Sequence, residues 1–306
     1  MDSAEPEDVA TCDGTTVTMG GKPLVFGETI ELMRSSEDLL SDTEALRTRL
    51  SEDGYLLLRN FFDRAQISRA RSEIIAHMLE AGDLASAEDS DAAIIGRENK
   101  ATIFRHHVIQ EKFPSFLSVV NSRRIYDFFG KLLEGHTLSL DHKWLRAIGH
   151  GHHTNAHLDI VYMGKGTREL YTAWTPFGDI PLEMGPLAVC LGSHRNEKLR
   201  ATYGKSDAHD ELETGFFSDD PDDVSETLGT RWASAPFAMG DLVIFGMFFM
   251  HGSLDNRTNR YRLSSDTRYQ LSVEPVDERH MGETPDVIPK KTNRISVEQA
   301  RKEWGL

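Results

Sequence analysis

From Thr137 onward the apolar residues come in short bursts separated by Gly, Pro and polar turns. Thr137-Leu-Ser-Leu, Lys143-Trp-Leu-Arg-Ala-Ile, Ile160-Val-Tyr-Met, Tyr171-Thr-Ala-Trp and Leu187-Ala-Val-Cys-Leu follow one another, and runs at 242–249 and 269–273 continue the series. Many short strands in succession predict a sandwich or barrel, not a layered βαβ sheet. Upstream the period changes. Ser41-Asp42-Thr43-Glu44 opens a helix that stops near Gly54, and Tyr55–Leu58 is a buried strand. Asp63 caps a long helix with Ile67, Ala70, Ile74, His77 and Met78 along one side, and His77 reads as a packed residue there. A helical pair follows at 114–134. Near the start, Gly20-Gly21 lies between two strand-like segments and predicts a hairpin.

The pattern leaves three stretches without strong periodicity. Residues 1–15 are polar and expected to be mobile, and 82–100 read as a surface loop. The charged insert 196–231 has the length of a functional lid, and its acidic run Asp219–Asp223 reads as a solvated face. The expected fold class is therefore α+β with a mainly β core: helices first, then two packed sheets in a barrel-like arrangement, forming one domain over 1–306.

Composition narrows the functional classes. Forty-nine acidic against 34 basic residues give a net charge of -15, which argues against a nucleic-acid partner and suits a small-molecule substrate. Cys12 and Cys190 are the only cysteines, too few for a disulfide framework or a thiolate zinc site, and are expected to be unpaired. The acidic N-terminal stretch has no apolar leader segment, and no run approaches the roughly 20 apolar residues of a membrane span, so a cytoplasmic protein is expected.

Candidate chemistry begins at His157-Leu158-Asp159. Two side chains two positions apart share one face of a strand, where an imidazole and a carboxylate can grip one metal ion. A third ligand from a neighbouring strand completes the facial triad of non-haem iron(II) oxygenases, with open positions left for cosubstrate and dioxygen. His251 is the candidate. It ends an apolar run from Gly240 through Met250, where an imidazole needs a partner. Eleven positions later stands Arg262, whose guanidinium fork suits a carboxylate.

These residues carry a resemblance. His157-Leu-Asp159, Ala173-Trp174-Thr175, Gly185-Pro186-Leu187, Gly192-Ser193-His194, Gly240-Asp241, His251-Gly252-Ser253, Asn256 and Arg262 together resemble the phytanoyl-CoA dioxygenase family of iron(II)- and 2-oxoglutarate-dependent oxygenases. The likeness spans roughly residues 45–275 and implies a double-stranded β-helix (jelly-roll, cupin-like) barrel with flanking N-terminal helices. It implies that His157, Asp159 and His251 bind Fe(II), that Arg262 and Ser253 hold 2-oxoglutarate, and that Trp174 lines its pocket. A further cosubstrate contact falls on Lys143 or Arg146, and His194 is structural. The implied reaction consumes O2 and 2-oxoglutarate, releases succinate and CO2, and hydroxylates or otherwise oxidises a small molecule. Asp159, where halogenating relatives need a small residue, points away from halogenation. Two other readings remain open at this stage. One is a cosubstrate-free metal enzyme on a similar barrel, which Arg262 weighs against. The other is a non-catalytic binding module, which the complete triad weighs against. Arg105-His106-His107 and the insert are expected to border the substrate pocket.

Overall fold

The computed structural model describes residues 12–86, 90–282 and 290–306. Residues 1–11 of the stretch expected to be mobile lie outside these. The hairpin is present: β1 (Thr16–Met19) pairs with β2 (Lys22–Val25) across Gly20 and Gly21, both at positive φ as a two-residue turn requires. After β3 (Ile30–Leu32), α1 (Thr43–Asp53) begins at Asp42, whose carboxylate accepts the Ala45 N–H, and ends at left-handed Gly54. Then follow β4 (Tyr55–Leu58), α2 (Arg64–Glu80) capped by Asp63, β5 (Ala101–Ile103), α3 (His106–Lys112), α4 (Pro114–Val120) and α5 (Arg123–Leu132). Helix α3 was not foreseen; α4 and α5 are the expected pair. His77 packs edge-on against Phe104 and Phe113, as its apolar neighbours suggested.

The β region contains β6 (Thr137–Ser139), β7 (Trp144–Ile148), α6 (Ile160–Met163), β8 (Tyr171–Pro176) and β9 (Leu187–Cys190). Next come α7 (Glu197–Ala201), α8 (Pro221–Leu228), β10 (Trp232–Ser234), β11 (Leu242–Gly246), β12 (His251–Ser253), β13 (Arg262–Leu271) and α9 (Val297–Trp304). The larger sheet is antiparallel in the order β4-β11-β8-β13-β7-β5, with β6 also on β13. The smaller runs β12-β9-β10-β3. Two packed sheets with helices on one outer side make the jelly-roll architecture expected from the sequence. No helix among the described residues is long and apolar enough to cross a membrane.

Strand alternation explains where the site falls. Leu56, Leu58, Leu145, Ala147, Ala173, Leu242, Ile244, Leu263 and Tyr269 face the helices and share one core with them. The opposite faces of β4, β11 and β8 give Tyr55, Leu57, Val243, Phe245 and Trp174, packed on Leu187, Val189 and Ala233 of the smaller sheet. On β13 and β7 the same inward face is polar: Arg262, Ser264, Asp266 and Arg268, with Arg146 opposite Ser264. One half of the inter-sheet space is thus packing core, and the other half is chemistry.

Three expectations need correction. Ile160–Met163 is a single helical turn, not a strand. Ile160, Val161 and Met163 are all buried, and a short apolar run does not reveal its own geometry. The run from 242 to His251 is not one strand either. It breaks after Gly246, and the chain crosses to the smaller sheet before His251. The insert 196–231 is no bare loop: it holds α7 and α8 and buries Leu199, Tyr203, Leu212, Phe217 and Val224 against Val297 and Ala300 of α9. Its acidic run is partly structural. Asp220 caps α8, and both oxygens of Asp223 accept from Arg301 at 2.6 and 2.8 Å.

Candidate metal and cosubstrate site

His157 and His251 exchange backbone hydrogen bonds, N–H to C=O in both directions, at 2.9 and 3.1 Å. Such an antiparallel pair holds its Cα atoms about 5.5 Å apart, so the two imidazoles lie side by side. Each ring donates Nδ1–H to the carbonyl two residues back: His157 to Asn155 at 2.8 Å, His251 to Phe249 at 2.9 Å. That fixes the tautomer and leaves both Nε2 lone pairs free to ligate. Asp159 Oδ1 lies 3.7 Å from His157 Nε2 and 3.9 Å from His251 Nε2. The three donor atoms fall within 4.8 Å of one another, a spacing that ligand bonds of roughly 2.0–2.2 Å reach with small adjustment. All three side chains are buried. Asp159 reaches the pair because the chain turns into α6 directly after the bridge at His157.

The electrostatics favour a cation. Burial, reinforced by the neighbouring His251, lowers the His157 pKa to about 3, so the ring is neutral and ready to ligate. Burial pushes Asp159 upward, yet Arg268 and the two histidines hold its carboxyl well below the usual range. Arg268 Nη2 donates to both oxygens at 2.9 Å, and the Thr172 hydroxyl donates to Oδ2. Oδ1 therefore faces the histidines while Oδ2 is tied to the strand behind.

Arg262 is 2% exposed, and its Nη1 donates to the Gly185 carbonyl. Gly185 has φ +73, and a Cβ there would stand 2.5 Å from the Leu254 carbonyl, so only glycine brings that oxygen this close. Asn256 ties the loop after β12 to β7 through the Ile148 carbonyl. Nε of Arg262 is buried without a partner, and burial together with Arg146 lowers its pKa to about 9. Among the described residues, the other buried arginines both reach carboxylates: Arg49 to Asp53 and Arg268 to Asp159. Arg262 has none. The Ser253 oxygen accepts the Thr154 N–H at 2.9 Å, which leaves its own proton to donate.

The sequence profile of the phytanoyl-CoA dioxygenase (PhyH) family matches residues 50–264. The chain belongs to that family. No curated protein sequence matches it. Solved structures with the same fold include the carbocyclase SnoK from nogalamycin biosynthesis (15% identity, TM-score 0.56, covering 80% of this chain and 89% of that one). The epimerase SnoN, solved with Fe3+, alpha ketoglutarate and nogalamycin RO, gives 15% identity, TM-score 0.55 and coverage of 81% and 88%. EctD from S. alaskensis, solved with 2-oxoglutarate and 5-hydroxyectoine, gives 15%, 0.55, 88% and 93%. This phytanoyl-CoA dioxygenase family member is an iron(II)- and 2-oxoglutarate-dependent dioxygenase.

Most of the residues singled out from the sequence converge. His157, Asp159 and His251 meet, and Arg262 and Ser253 lie buried on the facing sheets. Trp174 sits on the inward face of β8, beside Asp266 in register, with its ring 4.7 Å from Phe237. Of the two upstream candidates, Lys143 is turned away onto the Ser139 hydroxyl and Leu140 carbonyl, whereas Arg146 faces inward and donates Nε–H to Asp266 at 2.6 Å. His194 accepts a structural role, bonded to the Ser51 carbonyl. Cys12 and Cys190 are free. Thr172, Asp266 and Arg268 were not among the residues singled out from the sequence.

Proposed function

We propose that His157, Asp159 and His251 hold the iron through two Nε2 atoms and one carboxylate oxygen, and that Arg262 anchors the distal carboxylate of 2-oxoglutarate. The observation that carries this reading is the buried Arg262 guanidinium with no carboxylate of its own. A fork already held at Nη1 by Gly185 is pre-oriented for a bidentate partner. Ser253 donates its hydroxyl proton to the same carboxylate, and Ser264, whose buried Oγ is unpartnered on the Arg262 face of β13, adds a further donor. Arg146 is the upstream contact, and Trp174 closes the apolar side. When bound, the metal and cosubstrate together supply the oxidising power for a C–H bond. The protein's part is to orient and to exclude water. Thr172 and Arg268 fix one carboxylate oxygen toward the metal, while the paired backbone of His157 and His251 sets the imidazoles. Tyr162 and Phe216 place rings 5.6 and 5.9 Å from the His157 ring and wall the side away from the sheets. The substrate is a small molecule entering there, and the outcome is hydroxylation or a related oxidation.

The test is a titration of the anaerobic iron(II) protein with 2-oxoglutarate, followed by its visible charge-transfer band. Arg262→Ala should weaken the cosubstrate by about thirtyfold or more, since truncating one partner of a buried charge pair costs roughly 2–5 kcal/mol. Iron affinity should stay the same, and Arg262→Lys should fall between. His157→Ala should bind neither iron nor give the band. Wild-type cosubstrate affinity in Arg262→Ala would overturn the anchor.

A further inference from the structure

On the reading just given, the charges around the metal can be matched one against another. Arg146 has Asp266. Arg262 takes the distal cosubstrate carboxylate. A divalent ion is balanced by Asp159 and the second cosubstrate carboxylate. Arg268 is left over, because the carboxylate it touches is the one the metal uses.

The same residue has unused donors. Arg268 is 2% exposed and only Nη2 is hydrogen-bonded; Nε and Nη1 are buried without partners. Asp159 meets the guanidinium at Nη2 alone, and buried N–H donors left idle on the other two nitrogens are costly until an acceptor meets them. Its guanidinium lies over the Trp144 ring, 4.5 Å from the centroid, and that ring packs against His142 at 4.3 Å and His280 at 5.2 Å. His280 donates Nε2–H to the Tyr162 carbonyl at 3.3 Å, its Nδ1 is buried without a partner, and burial disfavours its charged form. Arg268 is therefore the cation of this corner. Asp277, beneath His280, is engaged by Arg279. Trp144 and His142 are half-buried at this corner, and Ile103, paired with Arg146 on the edge strand β5, is 51% exposed.

We propose that the primary substrate is a carboxylate-bearing small molecule, seated with its carboxylate on Nε and Nη1 of Arg268 and its carbon frame along Trp144. The chain carries -15 overall, yet its catalytic wall presents one more cation than the resident groups use. That surplus selects acids over their neutral derivatives, the discrimination expected of a site whose buried donors would otherwise stay unpaired.

The experiment uses the full chain loaded anaerobically with iron(II) and 2-oxoglutarate, titrated by calorimetry with hexanoate, phenylacetate and indole-3-acetate and with the matching primary amides. At least one acid should bind about tenfold or more tighter than its amide. Arg268→Met should erase the preference. Because Arg268 also touches Asp159, iron affinity is measured on the same variant. His280→Glu, which offers Arg268 an internal carboxylate without altering a metal ligand, should erase the preference while iron and cosubstrate still bind. Amides binding wild type as well as acids, or an acid preference surviving in either variant, would overturn the proposal. Failure of the underlying cosubstrate assignment would show separately, as no 2-oxoglutarate binding before any acid is added.

Discussion

Asp159 is the residue on which the most contacts converge: Thr172 from β8, Arg268 from β13 and the two histidines. Partners behind a ligand fix its orientation and contribute to metal affinity. Thr172→Val keeps the shape but removes the donor to Oδ2. Iron affinity should fall about tenfold, read by competition with a chelator, while 2-oxoglutarate binding at saturating iron stays unchanged. The triad itself was legible from residue type and spacing, although the geometry behind it differs from a strand face: His157 lies on a bridge and Asp159 on a helical turn. Arg268 was legible in principle. Arg262, Ser264, Asp266 and Arg268 repeat every second position in a strand whose other positions are Leu, Ser, Thr and Tyr. Polar residues on one face of a fully buried strand mark a site wall, but that signal needs the strand's limits, which the sequence left unset.

At the scale of elements, the insert departs furthest from the sequence reading. Its polar composition suggested a lid, and what the composition concealed was a small core completed from far away by α9. Sequence separation hides such pairing: Asp223 and Arg301 are 78 positions apart. The segment beside the metal is short. Ala156 and Ser218 form a bridge, and Phe216 reaches toward His157. Hydrogen exchange should therefore split the insert. Residues 205–218 should gain protection when substrate and cosubstrate bind, while 221–228, pinned by Arg301, should be slow throughout. Asp223→Asn removes the ion pair but not the packing, a loss on the order of 1 kcal/mol, and should raise exchange across 221–228 alone. Uniform exchange over the whole insert would remove this division.

For the molecule as a whole, the N-terminal hairpin is tied to the site region by one carboxylate. Asp255 accepts the N–H groups of Gly20 and Gly21 at 3.0 and 2.9 Å and pairs with His153 Nδ1 at 3.0 Å. The hydrogen bond to Asp255 raises the His153 pKa, against the opposing effect of burial. A raised folded-state value means the pair stabilises the fold fully below the ordinary imidazole pKa of about 6.5, and the contribution fades as pH rises through the raised value. The melting temperature of wild type relative to His153→Gln should then be highest near pH 5.5–6 and converge with it toward alkaline pH. A difference that grows with pH would contradict the assignment.

Strand β13 has a consequence of another kind. Leu263 and Tyr269 belong to the helical core, while Arg262 and Arg268 belong to the chemistry, and only the parity of position separates the two sets. Inserting one residue after Ser265 would exchange the roles of everything beyond it, driving Arg268 among the phenylalanines of α4 and α5 and exposing Tyr269 to the metal. Inserting two would restore parity, keep the core and carry Arg268 about 6.6 Å away from Asp159. Length changes here are thus graded by oddness and not by size: the smaller lesion should abolish folding, and the larger should leave a folded protein with a weakened grip on its iron.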